Sequence, residues 1–244
     1  MIKDRKILIT NDDGINAGGL QRLAAKAVDH GHVYVVAPFE QRSAASHSLT
    51  LRHGVDVWRV DFPVPGVEAY ACDGTPADCV RIGILNIVEG GPDFVLSGIN
   101  YGYNAATDLQ YSATAGAAFE GAFQGVHSIA FSEAMSDCHE VTDRYLGDIL
   151  TELLGGLSGV PVDRRVIQNV NFPGCPLNEC RGILRGRRAS ACSFYEDRYK
   201  VVAQNGDRIT YMVDGRRIHE SEPDTDLRAL YDNYVSIGTA TNIS

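Results

Sequence analysis

Short apolar runs alternate along the chain with longer segments whose apolar positions recur at helical spacing. Lys6 to Thr10 (KILIT), His32 to Pro38 (HVYVVAP), Phe94 to Ser97 (FVLS), Ser128 to Ser132 (SIAFS) and Val166 to Phe172 (VIQNVNF) read as strands. Gly19 to Asp29 sets Leu20, Leu23, Ala24, Ala27 and Val28 on one helical face. Thr75 to Val88 opens with Thr75 as an N-cap and Pro76 at the first helical position. Ala113 to Phe123 is a helix of small residues, and Thr142 to Leu157 is a helix that stops at Gly155-Gly156. Strands that are apolar throughout need cover on both faces. The pattern predicts an α/β fold with a Rossmann-like, mostly parallel sheet covered by helices.

The pattern changes after about Val160. From Arg181 to Ile218, polar and apolar residues alternate around the turn signal Gln204-Asn205-Gly206-Asp207, which predicts β-hairpins. Two parts are therefore expected: a Rossmann-like α/β catalytic core over residues 1–175 and a β-hairpin-rich C-terminal extension over 176–244. Arg185, Arg187 and Arg188 read as a solvated face of that extension.

Charge and cysteine usage narrow the possible functions. With 22 basic and 31 acidic residues the net charge is −9, and the pI is near 5.2. Such a field repels polyanions, so no nucleic-acid partner is expected, while a small phosphorylated substrate in a local site remains compatible. No stretch approaches the roughly 18 apolar residues of a membrane span, so no membrane partner is expected. MIKDRKILIT has neither the length nor the small-residue cleavage site of a signal peptide. Six cysteines without a C-x-x-C pair point to a reduced, cytoplasmic protein and away from zinc or a disulfide framework.

Three glycine-marked loops follow strands and carry polar residues. The first strand ends in Asn11-Asp12-Asp13-Gly14, which delivers two adjacent carboxylates where ligands of open α/β sheets bind. Neighbouring acids repel unless a cation lies between them, and a hard divalent ion with oxygen ligands resolves the repulsion. A solvated Asn-Asp-Gly turn is the competing reading. The second loop, Pro38 to Thr50, carries Ser43, Ser46, Ser48, Thr50 and the single cation Arg42, suited to a phosphate or a metal shell, or simply to a turn with capping serines. In that loop His47 reads as a surface or packing histidine. The third runs from Ser97-Gly98-Ile99-Asn100 to Asn104 and then to Ser112 and Thr114, where a helix N-terminus offers free N–H groups to an anion. Ser112 or Thr114 would serve equally as a plain N-cap. Together the loops describe an oxygen-ligand metal site beside an anion pocket, hence hydrolytic phosphate chemistry.

The runs ILITNDDGINAGGL, RSAASHSLTL, DGTPADCV, SGINYGYNAATDLQYSATAGAAFEG and NVNFP, in that order, resemble the SurE family, and DTDLRALYDNYVSI carries a weaker likeness. The resemblance implies a metal-dependent phosphomonoesterase acting on nucleoside 5′- and 3′-monophosphates, sometimes with exopolyphosphatase activity. It also implies a swapped C-terminal hairpin and a homodimer or homotetramer. Carried over by position, one Mg²⁺ or Mn²⁺ would be held by Asp12, Asp13, Ser43 and Asn100, while Asn104, Ser112 and Thr114 fall in the phosphate-side segment. Asp12 or Asp13 would also handle the attacking water.

Three departures from the family pattern stand out. Ala113 replaces the glycine of SGT, which is expected to restrict φ and tighten the phosphate pocket, so that Ala113→Gly would raise kcat/KM. His47 stands where the family often has Asn. After Ile237 the family continues through a Thr-Pro segment to a further helix, whereas here the chain reads GTATNIS. Two other functions share parts of this pattern. A haloacid-dehalogenase-type phosphatase also places an Asp after its first strand, but it wants an acid two positions later, where Gly14 stands. A non-catalytic nucleotide-binding module would keep the pocket without turnover.

Overall fold

The computed structural model describes residues 5–242. Nine strands form the main sheet: β1 (Lys6–Thr10), β2 (His32–Pro38), β3 (Val57–Val60), β4 (Val67–Cys72), β5 (Phe94–Tyr101), β6 (His127–Glu133), β7 (Val166–Phe172), β8 (Ile183–Arg187) and, after a small ribbon, β13 (Val235–Thr241). Their spatial order is β3-β4-β2-β1-β5-β6-β7-β13-β8. Six central strands, β4 to β7 in that order, run parallel, and only β3 and β13 pair antiparallel to their inner neighbours. The mostly parallel α/β sheet expected from the apolar strands is the observed architecture.

Side-chain alternation along β1 sorts the core. Ile7 and Ile9 face one cluster with Leu20 and Leu23 of α1 (Gly18–Ala27) and Leu146 and Ile149 of α4 (Glu140–Leu157). Leu8 faces the opposite cluster with Val80 of α2 (Pro76–Ile82) and Ala117 of α3 (Ala113–Phe123). Thr75 caps α2 through a capping box with Asp78, but the α-helix stops at Ile82, and a π-helical turn carries residues 83–87. Helix α4 runs through Gly155-Gly156 to Leu157, and the chain turns at Gly159 with φ +78°. The glycine pair therefore does not end the helix; Ser158 leaves it in an extended conformation, and Gly159 completes the turn that closes Val160 N–H onto the Leu157 carbonyl.

The C-terminal stretch divides in a way its alternation does not reveal. Residues 195–217 form the expected hairpins: β10 (Tyr199–Asn205) pairs with β11 (Arg208–Val213), and β9 (Tyr195–Glu196) with β12 (Arg216–Arg217). In contrast, β8 and β13 join the main sheet, and α5 (Asp226–Tyr231) contacts it. The boundary at residue 175 thus runs through one continuous sheet. Arg185 and Arg187 form ion pairs with Glu152 and Asp224.

Candidate functional site

Strand order fixes where a ligand can enter. From β1 the chain proceeds outward through β2 and β4, and later returns to the other side of β1 with β5 and β6. The crevice beyond the C-terminal ends of β1 and β5 is the switch point at which open α/β sheets bind ligands. Asp12 and Asp13 follow β1, and Asn100 lies near the end of β5. Gly14 makes the turn with φ +102°, and the Asn11 side chain brackets it by accepting from the Gly14 N–H and donating to its carbonyl.

The two carboxylates point to different partners. Asp12 is buried and accepts a 2.5 Å hydrogen bond from the Thr114 hydroxyl on α3. Asp13 accepts from the Tyr101 backbone N–H and from the Gln41 amide, both at 3.2 Å. The same Gln41 amide donates to Ser43 Oγ at 2.9 Å, which ties the second loop to the doublet. Asn100 donates its amide to the Gly102 carbonyl at 2.8 Å, leaving its own carbonyl oxygen available. Among the described residues, no ion pair reaches Asp12 or Asp13.

Burial pushes the Asp12 carboxyl up to about 6; the Thr114 hydrogen bond opposes the rise, and the charge of Asp13 adds to it. Burial also raises Asp13, against the Tyr101 and Gln41 hydrogen bonds. Two adjacent acids with only neutral partners fit a cation. No cluster of three His, Cys, Asp or Glu side chains occurs among the described residues. The donor set is therefore two carboxylates and neutral oxygens, which suits a hard divalent ion.

The remaining candidates separate by role. The Ser112 hydroxyl caps α3, accepting from the Ala115 N–H at 2.9 Å, so Ser112 rather than Thr114 is the N-cap. Ala113 opens the helix outside the positive-φ region. The expected restriction by its methyl group therefore does not arise, because a helical N1 position suits alanine. Asn104 is buried in an asparagine network: its amide donates to Ser132 Oγ at 2.7 Å, its N–H donates to Asn171, and Asn169 and Asn171 donate to its carbonyl. The guanidinium of Arg42, the loop's one cation, donates to the Asp73 carbonyl, while its backbone N–H donates to the Asp12 carbonyl.

Sequence reasoning missed the anchor of the Ser43 loop. His47 Nε2 lies 2.8 Å from Glu120 on α3, and Glu120 also accepts from Arg81 and Gln124, each at 2.8 Å. Burial favours protonating Glu120, but these three partners outweigh it and hold the carboxyl down at about 2. The signal was a lone acid inside the small apolar run of α3.

Known proteins resemble this chain in sequence and fold over nearly its whole length. The family model described as "Survival protein SurE" matches residues 7–197. A protein named 5′-nucleotidase SurE from Synechococcus sp. (strain JA-3-3Ab) is 40% identical over 236 residues, covering 95% of this chain and 89% of that protein. Its namesake from Gemmatimonas aurantiaca is 39% identical over 236 residues, covering 95% and 90%. The crystal structure of the SurE protein from Aquifex aeolicus superposes with a TM-score of 0.80 at 29% identity, covering 98% of this chain and 94% of that one. With relatives of this identity over nearly its whole length, the chain belongs to the SurE family.

Proposed function

We propose that the chain is a metal-dependent 5′-nucleotidase, a phosphomonoesterase that converts nucleoside monophosphates and water to nucleoside and phosphate. The observation that carries this reading is the unneutralised Asp12–Asp13 doublet at the sheet switch point, facing the N-terminus of α3. The relatives named 5′-nucleotidase SurE support it. Activity on 3′-monophosphates and on polyphosphate belongs to the same proposal.

Asp12, Asp13, Ser43 Oγ and the Asn100 carbonyl oxygen would hold one Mg²⁺ or Mn²⁺. When bound, that cation supplies charge neutralisation at the phosphoryl oxygens and lowers the pKa of water. The N–H groups of Ala113 and Thr114 belong to the first turn of α3, which lacks intrahelical acceptors, and they suit the phosphate oxygens. Thr114 spends its hydroxyl proton on Asp12, so its side chain positions that carboxylate. Ser112 and Asn104 shape the phosphate side. Water adds to phosphorus, the ester P–O bond breaks, and the nucleoside oxygen leaves with a proton.

The ribbon of β10 and β11, apolar and exposed, would mediate a homodimer or homotetramer. No helix among the described residues is long and apolar enough to cross a membrane. The six free thiols fit a reducing compartment such as the cytoplasm.

Phosphate release from nucleotides and polyphosphate, with EDTA, Mg²⁺ or Mn²⁺, tests the reading. Asp12→Asn and Asp13→Asn should each lower kcat/KM by at least about a hundredfold, the scale of removing a key electrostatic contact. Full activity in both variants refutes the site.

A further inference from the structure

Three parts of the chain meet at one buried carboxyl that the proposed reaction does not use. Asp226 opens α5 and is buried, and no ion pair reaches it among the described residues. Its partners are backbone N–H groups: Ala106 donates to Oδ2 at 3.0 Å, while Ser190 and Leu227 donate to Oδ1 at 2.9 and 2.6 Å. A carboxylate is costly to bury, and donors drawn from three segments offset that cost. Around them Ala106, Phe194 and Leu227 form a small apolar cluster of their own.

The segments joined here are not equivalent. Ser190 stands at the base of the ribbon, where its hydroxyl and the Ala191 N–H both bond Glu222 and so close the stretch that carries β9 to β12. Ala106 begins a short 3-10 helix, Ala106–Gln110, at φ +54°. That left-handed conformation is one a residue with a Cβ rarely holds without support. The helix leads to both halves of the site. Two residues before it, Asn104 is fixed by Ser132, Asn169 and Asn171. At its far end the Gln110 and Tyr111 carbonyls accept the Ser46 hydroxyl and N–H at 2.8 and 3.1 Å, and Ser112 then caps α3. The direction in which residues 106–112 leave the asparagine network is therefore set at Ala106.

We infer that Asp226 is a positioning residue: by holding Ala106 in its left-handed conformation, it aims the segment that joins Asn104 to Ser46 and to the N-terminus of α3. The inference rests on the nucleotidase reading for the reaction affected and on the bonds of Asp226 for the clamp itself.

Asp226→Asn isolates the clamp. An amide has a single acceptor oxygen, so in either orientation its NH2 group opposes a backbone N–H that the carboxylate accepts. The variant should lower kcat/KM for adenosine 5′-monophosphate by about tenfold, within the roughly hundredfold that a misplacement of about 1 Å can cost. Adding Ala106→Gly should recover about threefold, because glycine takes positive φ without the carboxylate. A merely stabilising role for Asp226 would give no such recovery. Hydrogen exchange of the Ala106 N–H reads the clamp without turnover: it should be slow in the parent and at least about tenfold faster in Asp226→Asn. If the parent hydrolyses the nucleotide and folded Asp226→Asn matches it, the positioning role is refuted and the nucleotidase reading stands. A loss that Ala106→Gly does not relieve refutes the role as well. If no ester is hydrolysed, yet the Ala106 N–H is slow in the parent and freed in Asp226→Asn, the nucleotidase reading falls and the clamp stands. Should Asp226→Asn not fold, the parent decides: an Ala106 N–H that exchanges like a free amide overturns the clamp, and a slow one upholds it.

Discussion

Ala113 is buried and begins α3 with helical backbone angles, so its methyl group demands no left-handed conformation. The consequence is opposite to what the sequence suggests. Ala113→Gly should leave kcat/KM at or below that of the parent and lower stability by about 0.5–1 kcal/mol through glycine's greater backbone entropy. Steady-state kinetics and a thermal melt on this one variant check both parts. Asp12 and Asp13 were legible as a candidate site because strand, acid pair and glycine are contiguous. The Thr114–Asp12 bond was not, because it joins residues 102 positions apart, and only the packing of α3 over β5 and β6, next to β1 in the sheet, brings them together. Gln41 is illegible for the same reason: nothing in PFEQRS shows that its amide bridges Asp13 and Ser43.

The loop after β2 has no regular structure of its own between Phe39 and Asp56, and α3 together with the turn just before it holds much of it in place. Ser46 donates its N–H and its hydroxyl to the Tyr111 and Gln110 carbonyls, and His47 reaches Glu120. The expected packing role of His47 is thus an anchoring role for the segment that carries Ser43. Glu120→Gln should loosen the loop and lower the melting temperature. The pH dependence has a defined sign. Held at about 2 in the fold against 4.5 as the ordinary value, the Glu120 carboxylate contributes stability that is fully present above pH 4.5 and is lost as the pH falls toward 2. The difference in melting temperature between parent and Glu120→Gln should therefore be constant above about pH 4.5 and shrink below it. A gap that stays the same down to pH 2.5 would show that the carboxylate charge does not hold the loop.

At the scale of the molecule, the central strands and the covering helices were readable because each is apolar over its own length. The far edge was not, because β13 reads VSIGTAT and becomes a strand only when Ile237 aligns with Val170 and Ala240 with Ile167 on β7. That register buries Val235 and Ile237 and extends the sheet to β8, and neither fact is local to the segment. The hairpins were readable from alternation, but their exposure was not. On β10 and β11, Tyr199, Val201, Ile209, Tyr211, Met212 and Val213 all remain exposed. A two-stranded ribbon is marginal in water by itself, and an apolar one gains from cover by another surface. Val201 and Tyr211 are direct cross-strand partners, so replacing them together offers a clean test. Val201→Lys with Tyr211→Glu removes apolar surface yet leaves an opposite-charge pair across the ribbon, which preserves the pairing of the strands. If the ribbon joins copies of the chain, light scattering should show the double variant at the mass of a single chain where the parent is larger. Its main melting transition should persist, because the core clusters on β1, β5, β6 and β7 do not include the ribbon. A double variant that keeps the parent's mass would move the interface to another surface.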